Sequence, residues 1–212
     1  MPVDRIGTGA VLATFDHLAV SARNLGEGIG AVEAALGVAL VTGGKHALMG
    51  THNALLRLGP GEYLEVIAID PDAPKPAHPR WFDLDRFSGP PRLTNWIASV
   101  DDLDAALLRA PAGAGRATEL QRGPFRWRFG VPEDGCLPFD GAFPALIQWQ
   151  GARPSAALPD AGCALTRLEI AHPRADELRA ALAPGDRRIV LVKGAKALRA
   201  TIATPNGVRM LE

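Results

Sequence analysis

One arrangement of residue patterns returns three times along this 212-residue chain, and it limits the fold more than any other feature. Each time an extended apolar run is followed by a helix-spaced run and then by further extended runs. The first unit opens with residues 15–20 (FDHLAV). Leu25, Ile29, Val32 and Leu36 then recur at helical spacing, with Gly37 placed to end the helix. Strand-like runs follow at 39–42, 53–58 and 62–69, the last two joined by Gly59-Pro60-Gly61. The second unit opens with 92–100 and continues with a helix over 103–108 that Asp101 or Asp102 can cap. Its strand patterns lie at 125–131 and 145–150. The third opens with 165–171, has a helix over 175–182, and then runs at 188–192, 198–203 and 208–211. Two loop-like segments separate the units: 70–91, which holds six prolines, and 151–162. The expectation is an α+β protein. Its domain over 1–150 holds paired βαβββ modules at about 15–70 and 91–150, and a third βαβββ-like half-module covers 163–212.

Composition narrows the function classes. Lys and Arg number 23 and so do Asp and Glu, so bulk capture of nucleic acid or anionic membrane is not expected. Two cysteines cannot form a disulfide framework. The opening residues do not read as a signal peptide, and no run reaches the 18 or so apolar residues of a membrane span. A cytoplasmic location is expected. The excess of Arg over Lys and the abundance of Ala fit a GC-rich bacterial genome. GEGIG at 26–30 lacks the context of a dinucleotide fingerprint, so no nucleotide cofactor is expected.

Strand alternation sorts the polar residues by face. On the first strand Phe15, His17 and Ala19 share one side. On the fourth, Tyr63, Glu65 and Ile67 do. If the hairpin turns at Pro60, Leu58 faces Glu62 and Leu55 faces Glu65, which brings Asn53, Leu55 and Arg57 beside Ile67, Glu65 and Tyr63. One side is then apolar, and the other gathers His17, Glu65, Asn53, Arg57 and Tyr63. Setting Leu25 on Leu103 places His17 on Asn95, an offset of 78. Matching the last strands by pattern places Glu65 (YLEVI) on Gln148 (LIQWQ). Gly43-Gly44 marks a bulge or a close backbone approach. His46 ends the second run, as a ligand or substrate contact or as a plain turn residue. His52 and His78 read as structural and loop residues, and His172 as a helix-start cap. In FRWRF (125–129) the alternation points to an edge strand with aromatics inside and Arg126 and Arg128 in water; turned the other way, the two arginines would face the cup and hold a carboxylate or phosphate, and a basic–aromatic strand can also bind single-stranded nucleic acid.

Repeated βαβββ units with His on the first strand and Glu on the fourth resemble the vicinal oxygen chelate superfamily. The run from DHLAV through GGKHALMGTHNALLRL to EYLEVIAID resembles its glyoxalase-like subgroup, over about 15–150. The resemblance implies a cupped mixed sheet with helices outside, lined by strands one and four of each module. It also implies one divalent metal (Zn, Ni, Mn or Fe) with a ligand from each of those four strands. His17 and Glu65 would be two of them, while Asn95 and Gln148 put amides, weak donors, at the other two.

Three functions follow as expectations. The first is a lyase or isomerase acting next to a carbonyl, with Glu65 and His17 as metal ligands or proton carriers and with Asn53, Arg57, Tyr63, Asn95, Gln148 and His46 binding substrate. The second is a metal-free, drug-sequestering binding protein, with His17 and Glu65 as a hydrogen-bonded pair. The third is an assembly protein with a relic cup. A lone half-module leaves an open sheet face and edge, so it should either extend the first two modules or pair with another chain, and a homodimer is expected on that ground.

Overall fold

The computed structural model describes residues 9–212, and the opening octapeptide considered above as a signal lies outside the described residues. The first module is β1 (Val11–Ser21), α1 (Leu25–Leu36), β2 (Val41–His46), β3 (Thr51–Gly59) and β4 (Glu62–Ile69). The second is β5 (Arg92–Ser99), α2 (Leu103–Arg109), β6 (Arg116–Arg122), β7 (Phe125–Val131) and β8 (Ala145–Trp149). Asn24 caps α1 by accepting from the Glu27 N–H, and Gly37 ends it at φ 71°. Asp102, rather than Asp101, caps α2 by accepting from the Ala105 N–H.

The two modules join edge to edge in one mixed sheet of order β2-β3-β4-β1-β5-β8-β7-β6. β1 runs parallel to β4 and antiparallel to β5, so the two opening strands meet at the centre. Leu55 does oppose Glu65, but a register shift next to the hairpin makes Gly59, not Leu58, the partner of Glu62. β6, whose sequence RATELQR carries no apolar alternation, escaped the sequence reading. It forms the outer edge, so FRWRF is the second strand from the edge.

The sheet has two apolar faces. One, with Leu18, Leu56, Leu64, Trp96 and Leu146, packs on the helices. The other, the inside of the cup, holds Ala19, Ile67, Ile97, Ala145 and Ile147 together with Trp81, Phe82, Trp127 and Phe129.

The C-terminal segment continues with β9 (Ala164–His172), α3 (Ala175–Ala181), β10 (Leu182–Pro184), β11 (Ile189–Lys193), β12 (Ala197–Thr204) and β13 (Gly207–Leu211). β10 adds to β1 of the large sheet. The other four strands form a second sheet of order β11-β9-β12-β13. That order differs from the modules: β11 lies directly beside β9 in parallel, and β12 takes the other side of β9. Its inner residues Leu165, Leu168, Ile170, Leu198, Ala200 and Ile202 belong to the same core as Leu56, Leu64 and Trp96. This face is therefore covered within the chain, and the ground for expecting a second copy on it is gone.

Candidate functional site

The cup gathers its polar groups around His17. A bulge sets the arrangement: β1 pairs Phe15 with Ala98 and His17 with Ile97, leaving Asp16 unpaired between them. Asp16 is thereby turned to the His17 side instead of sharing a face with Leu18. It is fully buried. Its Oδ1 lies 2.7 Å from His17 Nδ1, and its Oδ2 accepts from Trp149 Nε1–H at 2.8 Å and from Arg153 at 3.2 Å. With Nδ1–H held by Asp16, His17 Nε2 looks into the cup. It stands 3.5 Å from Glu65 Oε1 and 3.4 Å from the Tyr63 hydroxyl, whose ring stacks on the imidazole at 4.2 Å.

Glu65 is held from its other side. Asn53 Nδ2 donates to Glu65 Oε2 at 2.8 Å, while Asn53 Oδ1 accepts from the Gly44 N–H at 2.9 Å and from Arg122 at 3.0 Å. The two donors on Oδ1 fix which end of the amide meets the carboxylate. Gly43 and Gly44 sit at a register break of β2 against β3. A Cβ on Gly43 would fall 2.8 Å from the Asn53 carbonyl oxygen, and one on Gly44 would fall 2.7 Å from Arg122 Cδ. The glycine pair is thus a close backbone approach, as its sequence implied. Arg122 also donates to His46 Nε2 at 3.2 Å, and His46 Nδ1 lies 3.1 Å from Thr51 Oγ1.

These contacts set the charges. Burial resists charge on both His17 and Glu65. Asp16 and Glu65 outweigh it for His17, whose pKa is raised. His17 and then His46 and Asn53 outweigh it for Glu65, whose pKa is lowered. Both directions favour the charged forms, imidazolium facing carboxylate. Tyr63 is pushed well up by burial and by Asp16 and Glu65, so it stays a neutral donor. His46 goes the other way: burial, joined by Arg122 and opposed by Glu65, lowers it to about 4.

The His46 shift fixes a pH dependence of stability. A histidine that resists protonation when folded lets the unfolded chain take up the extra proton. Stability therefore falls as pH drops below the unfolded value of about 6.5, at about 1.4 kcal/mol per pH unit. Urea unfolding of wild type is expected to lose about 2 kcal/mol between pH 6.5 and pH 5 from this group. His46→Gln should flatten that limb; an unchanged slope would remove His46 as its cause.

The cup is lined by aromatics. Trp81, Phe82, Trp127, Phe129 and Trp149 leave about 30 Å³ of open space above His17 and Glu65, room for about two waters. Trp81 and Phe82 come from the proline-rich connector and lie buried across the cup, anchored to the core and closing over the site at once. Phe82 and Asp83 hold φ of 58° and 54°, a strained backbone for non-glycine residues.

The remaining sequence candidates lie elsewhere. Arg57 is tied to the Gly59 and Leu158 carbonyls. Gln148 is on the helix side: it accepts from the Leu103 N–H and donates to the Asp101 carbonyl, so it steadies the start of α2. Asn95 lines a separate cavity of about 320 Å³ with Asp140 and Lys196. The strand pairs explain the misplacement of Gln148. The register of β1 against β5 breaks at Asp16 on one strand and at Thr94 on the other, 78 residues apart, which supports the offset of 78 between β1 and β5. Glu65 lies beside Ala19, and the residue beside Ile97 is Ala145. The counterpart of Glu65 is therefore Ala145, three residues before Gln148. His172 accepts from the Arg174 N–H in the turn before α3, but α3 opens at Arg174 without a side-chain cap, so the capping role read for His172 is not what it does. Asp16 and Arg122 are the residues that sequence reasoning missed.

The donor set does not fit the divalent metal that the resemblance implies. His17 and Glu65 face each other, and the second module offers alanine where a fourth-strand ligand would stand. Glu65 Oε2 and both Asp16 oxygens are already engaged. Among the described residues, no group of three or more His, Cys, Asp or Glu is gathered to hold an ion.

A model of the glyoxalase-like domain matches residues 15–184. The structure is similar to that of a hypothetical protein from Staphylococcus aureus, with 12% identity and a TM-score of 0.51, over 78% of this chain and 71% of that one. It is also similar to methylmalonyl-CoA epimerase from Mycobacterium tuberculosis, with 23% identity and a TM-score of 0.43, over 72% of this chain and 97% of that one. At these identities the likeness concerns the fold alone. No curated protein matches the chain.

Proposed function

The chain belongs to the glyoxalase-like domain family of the vicinal oxygen chelate superfamily, and on that premise we propose that it moves a proton next to a carbonyl of a small molecule held in the cup, without a metal. The observation that carries this is the buried line Asp16–His17–Glu65, whose far end opens on the cup. Glu65 is the base. It is ionised, its Oε2 is held by Asn53, and its Oε1 is free to turn from His17 to a substrate C–H. His17, whose charged form Asp16 favours, places its Nε2 where an enolate oxygen develops, and the Tyr63 hydroxyl adds a neutral donor beside it. Abstraction at one face and return at the other would be an isomerisation; loss of a β-substituent from the same carbanion would be a lyase step. The aromatic lining excludes water from either.

The class of reaction can be tested before the substrate is known. Wild-type protein in D₂O is incubated with a panel of small 2-oxo and 2-hydroxy carbonyl compounds, and deuterium entry at the α carbon is followed by NMR. Exchange above background is expected for members of the panel, unchanged by a chelator. Exchange abolished by the chelator and restored by Zn, Ni, Mn or Fe would overturn the metal-free reading. Binding without exchange would favour a second reading, capture of a small ligand whose end reaches the aromatic walls of the cup. A cytoplasmic location is part of the proposal. The free thiols of Cys136 and Cys163 support it, and no described helix is long and apolar enough to cross a membrane.

A further inference from the structure

We propose that Arg122 is the anion-recognition residue of the site, and that the ligand is a monocarboxylate whose apolar part lies in the vestibule beside the cup. This deepens the reading above by naming the ligand class, and it rests on that reading for the location of the reactive carbon.

Four observations carry it. First, Arg122 is a cation without an anion. Its guanidinium donates only to the neutral acceptors His46 Nε2 and Asn53 Oδ1, and no carboxylate among the described residues pairs with it. Arg153, which reaches the site through Asp16, is by contrast matched by that carboxylate. Second, its position is built. Its stem crosses Gly44 where a Cβ would collide, and Asn53 and His46 hold its end. Because a guanidinium only donates, His46 Nε2 is the acceptor in that contact. Third, Arg122 lies at a boundary. It lines the small polar cavity above Glu65, and it also lines an open cavity of about 420 Å³ walled by Val41, Leu55, Phe125, Leu158 and prolines. That volume is in the range of small-molecule sites, and its walls suit an aliphatic or aromatic group. Fourth, Asn53 connects Arg122 to Glu65. A carboxylate on the guanidinium therefore brings its neighbouring carbon one side chain away from the base. Glu65 and Asp16 nearby oppose a dianion, so a single carboxylate fits better than a phosphate. Arginine can meet it with two parallel N–H groups.

The test uses binding alone, so that it can fail separately from the proton-transfer reading. Octanoate and octanamide share a chain and differ in charge. Each is titrated into wild type, Arg122→Met, Arg122→Lys and Glu65→Gln, with calorimetry and tryptophan fluorescence as readouts. Octanoate is expected to bind wild type at least tenfold more tightly than octanamide. Arg122→Met should erase that preference while octanamide affinity holds, and Arg122→Lys should keep part of it. Glu65→Gln should bind octanoate at least as well as wild type, whether or not it supports exchange. Equal affinity for acid and amide in wild type, no octanoate binding at millimolar concentration, or an unchanged preference in Arg122→Met would each overturn the proposal. Should Arg122→Met fail to fold, the wild-type acid-to-amide ratio and Arg122→Lys still decide it.

Discussion

Glutamine at position 65 is expected to lower α-proton exchange by about 10²- to 10⁴-fold, the usual contribution of a positioned general base. The substitution is close to isosteric. The side-chain oxygen of glutamine can still accept from Asn53 Nδ2, so the hold that Asn53 exerts from Arg122 and Gly44 survives. His17 keeps Asp16 and stays oriented. What disappears is the negative charge and the basic oxygen. The measurement is the initial rate of deuterium entry for any panel compound that wild type exchanges, alongside the thermal midpoint of both proteins. A rate within threefold of wild type would remove Glu65 as the base and point to the imidazole instead. A collapse of the midpoint would assign Glu65 a structural role.

Asp16→Ala is expected to cost about 3–5 kcal/mol of stability, because it leaves buried positive and donor groups without their shared acceptor. Trp149 Nε1–H, Arg153 and His17 Nδ1–H all converge on this one carboxylate. For a chain of this length the thermal midpoint should fall by about 6–20 °C. Asp16→Asn isolates the charge at nearly constant volume, and there the pH profile is the readout. In wild type the folded His17 has the higher pKa. Its contribution is complete below the unfolded value of about 6.5 and is lost as pH rises through the folded value. Asp16→Asn should weaken that alkaline decline while leaving the His46 contribution between pH 6.5 and pH 5. A loss below 1 kcal/mol in Asp16→Ala would mean that the carboxylate does not organise the site.

Much of this was legible in the residues, and the failures have physical causes. The repeat, α1 with its glycine stop, and the opposition of Leu55 to Glu65 follow from spacing alone. So does the shared face of His17, Glu65, Asn53 and Tyr63, because each lies in a stretch of strand that keeps its alternation, His17 on the Ala19 side of the β1 bulge. Asp16 was invisible because a bulge breaks alternation at that residue, and nothing in FDHLAV announces a bulge. Arg122 was invisible because an edge strand covered on one side only needs no apolar pattern, so β6 left no signal. Gln148 was misplaced by matching side-chain type instead of pairing. A slip of three residues is odd, and an odd slip moves a side chain through the sheet to the opposite face.

The twofold relation between the modules is kept in the backbone and given up in the side chains. Where the first half carries Tyr63, Glu65 and Asn53, the second presents Ala145, Ile147, Trp127 and Phe129. The second half still steadies the first through Trp149 on Asp16 and Arg122 on Asn53. Its apolar positions Trp127, Phe129 and Ile147 make no such hydrogen bond, so changes there reshape the space a guest must fill and leave the groups that hold the proton in place. A library confined to positions 127, 129 and 147 would vary ligand choice while holding the Asp16–His17–Glu65 line constant, which makes this half of the sheet the natural place to redirect the protein toward a new molecule.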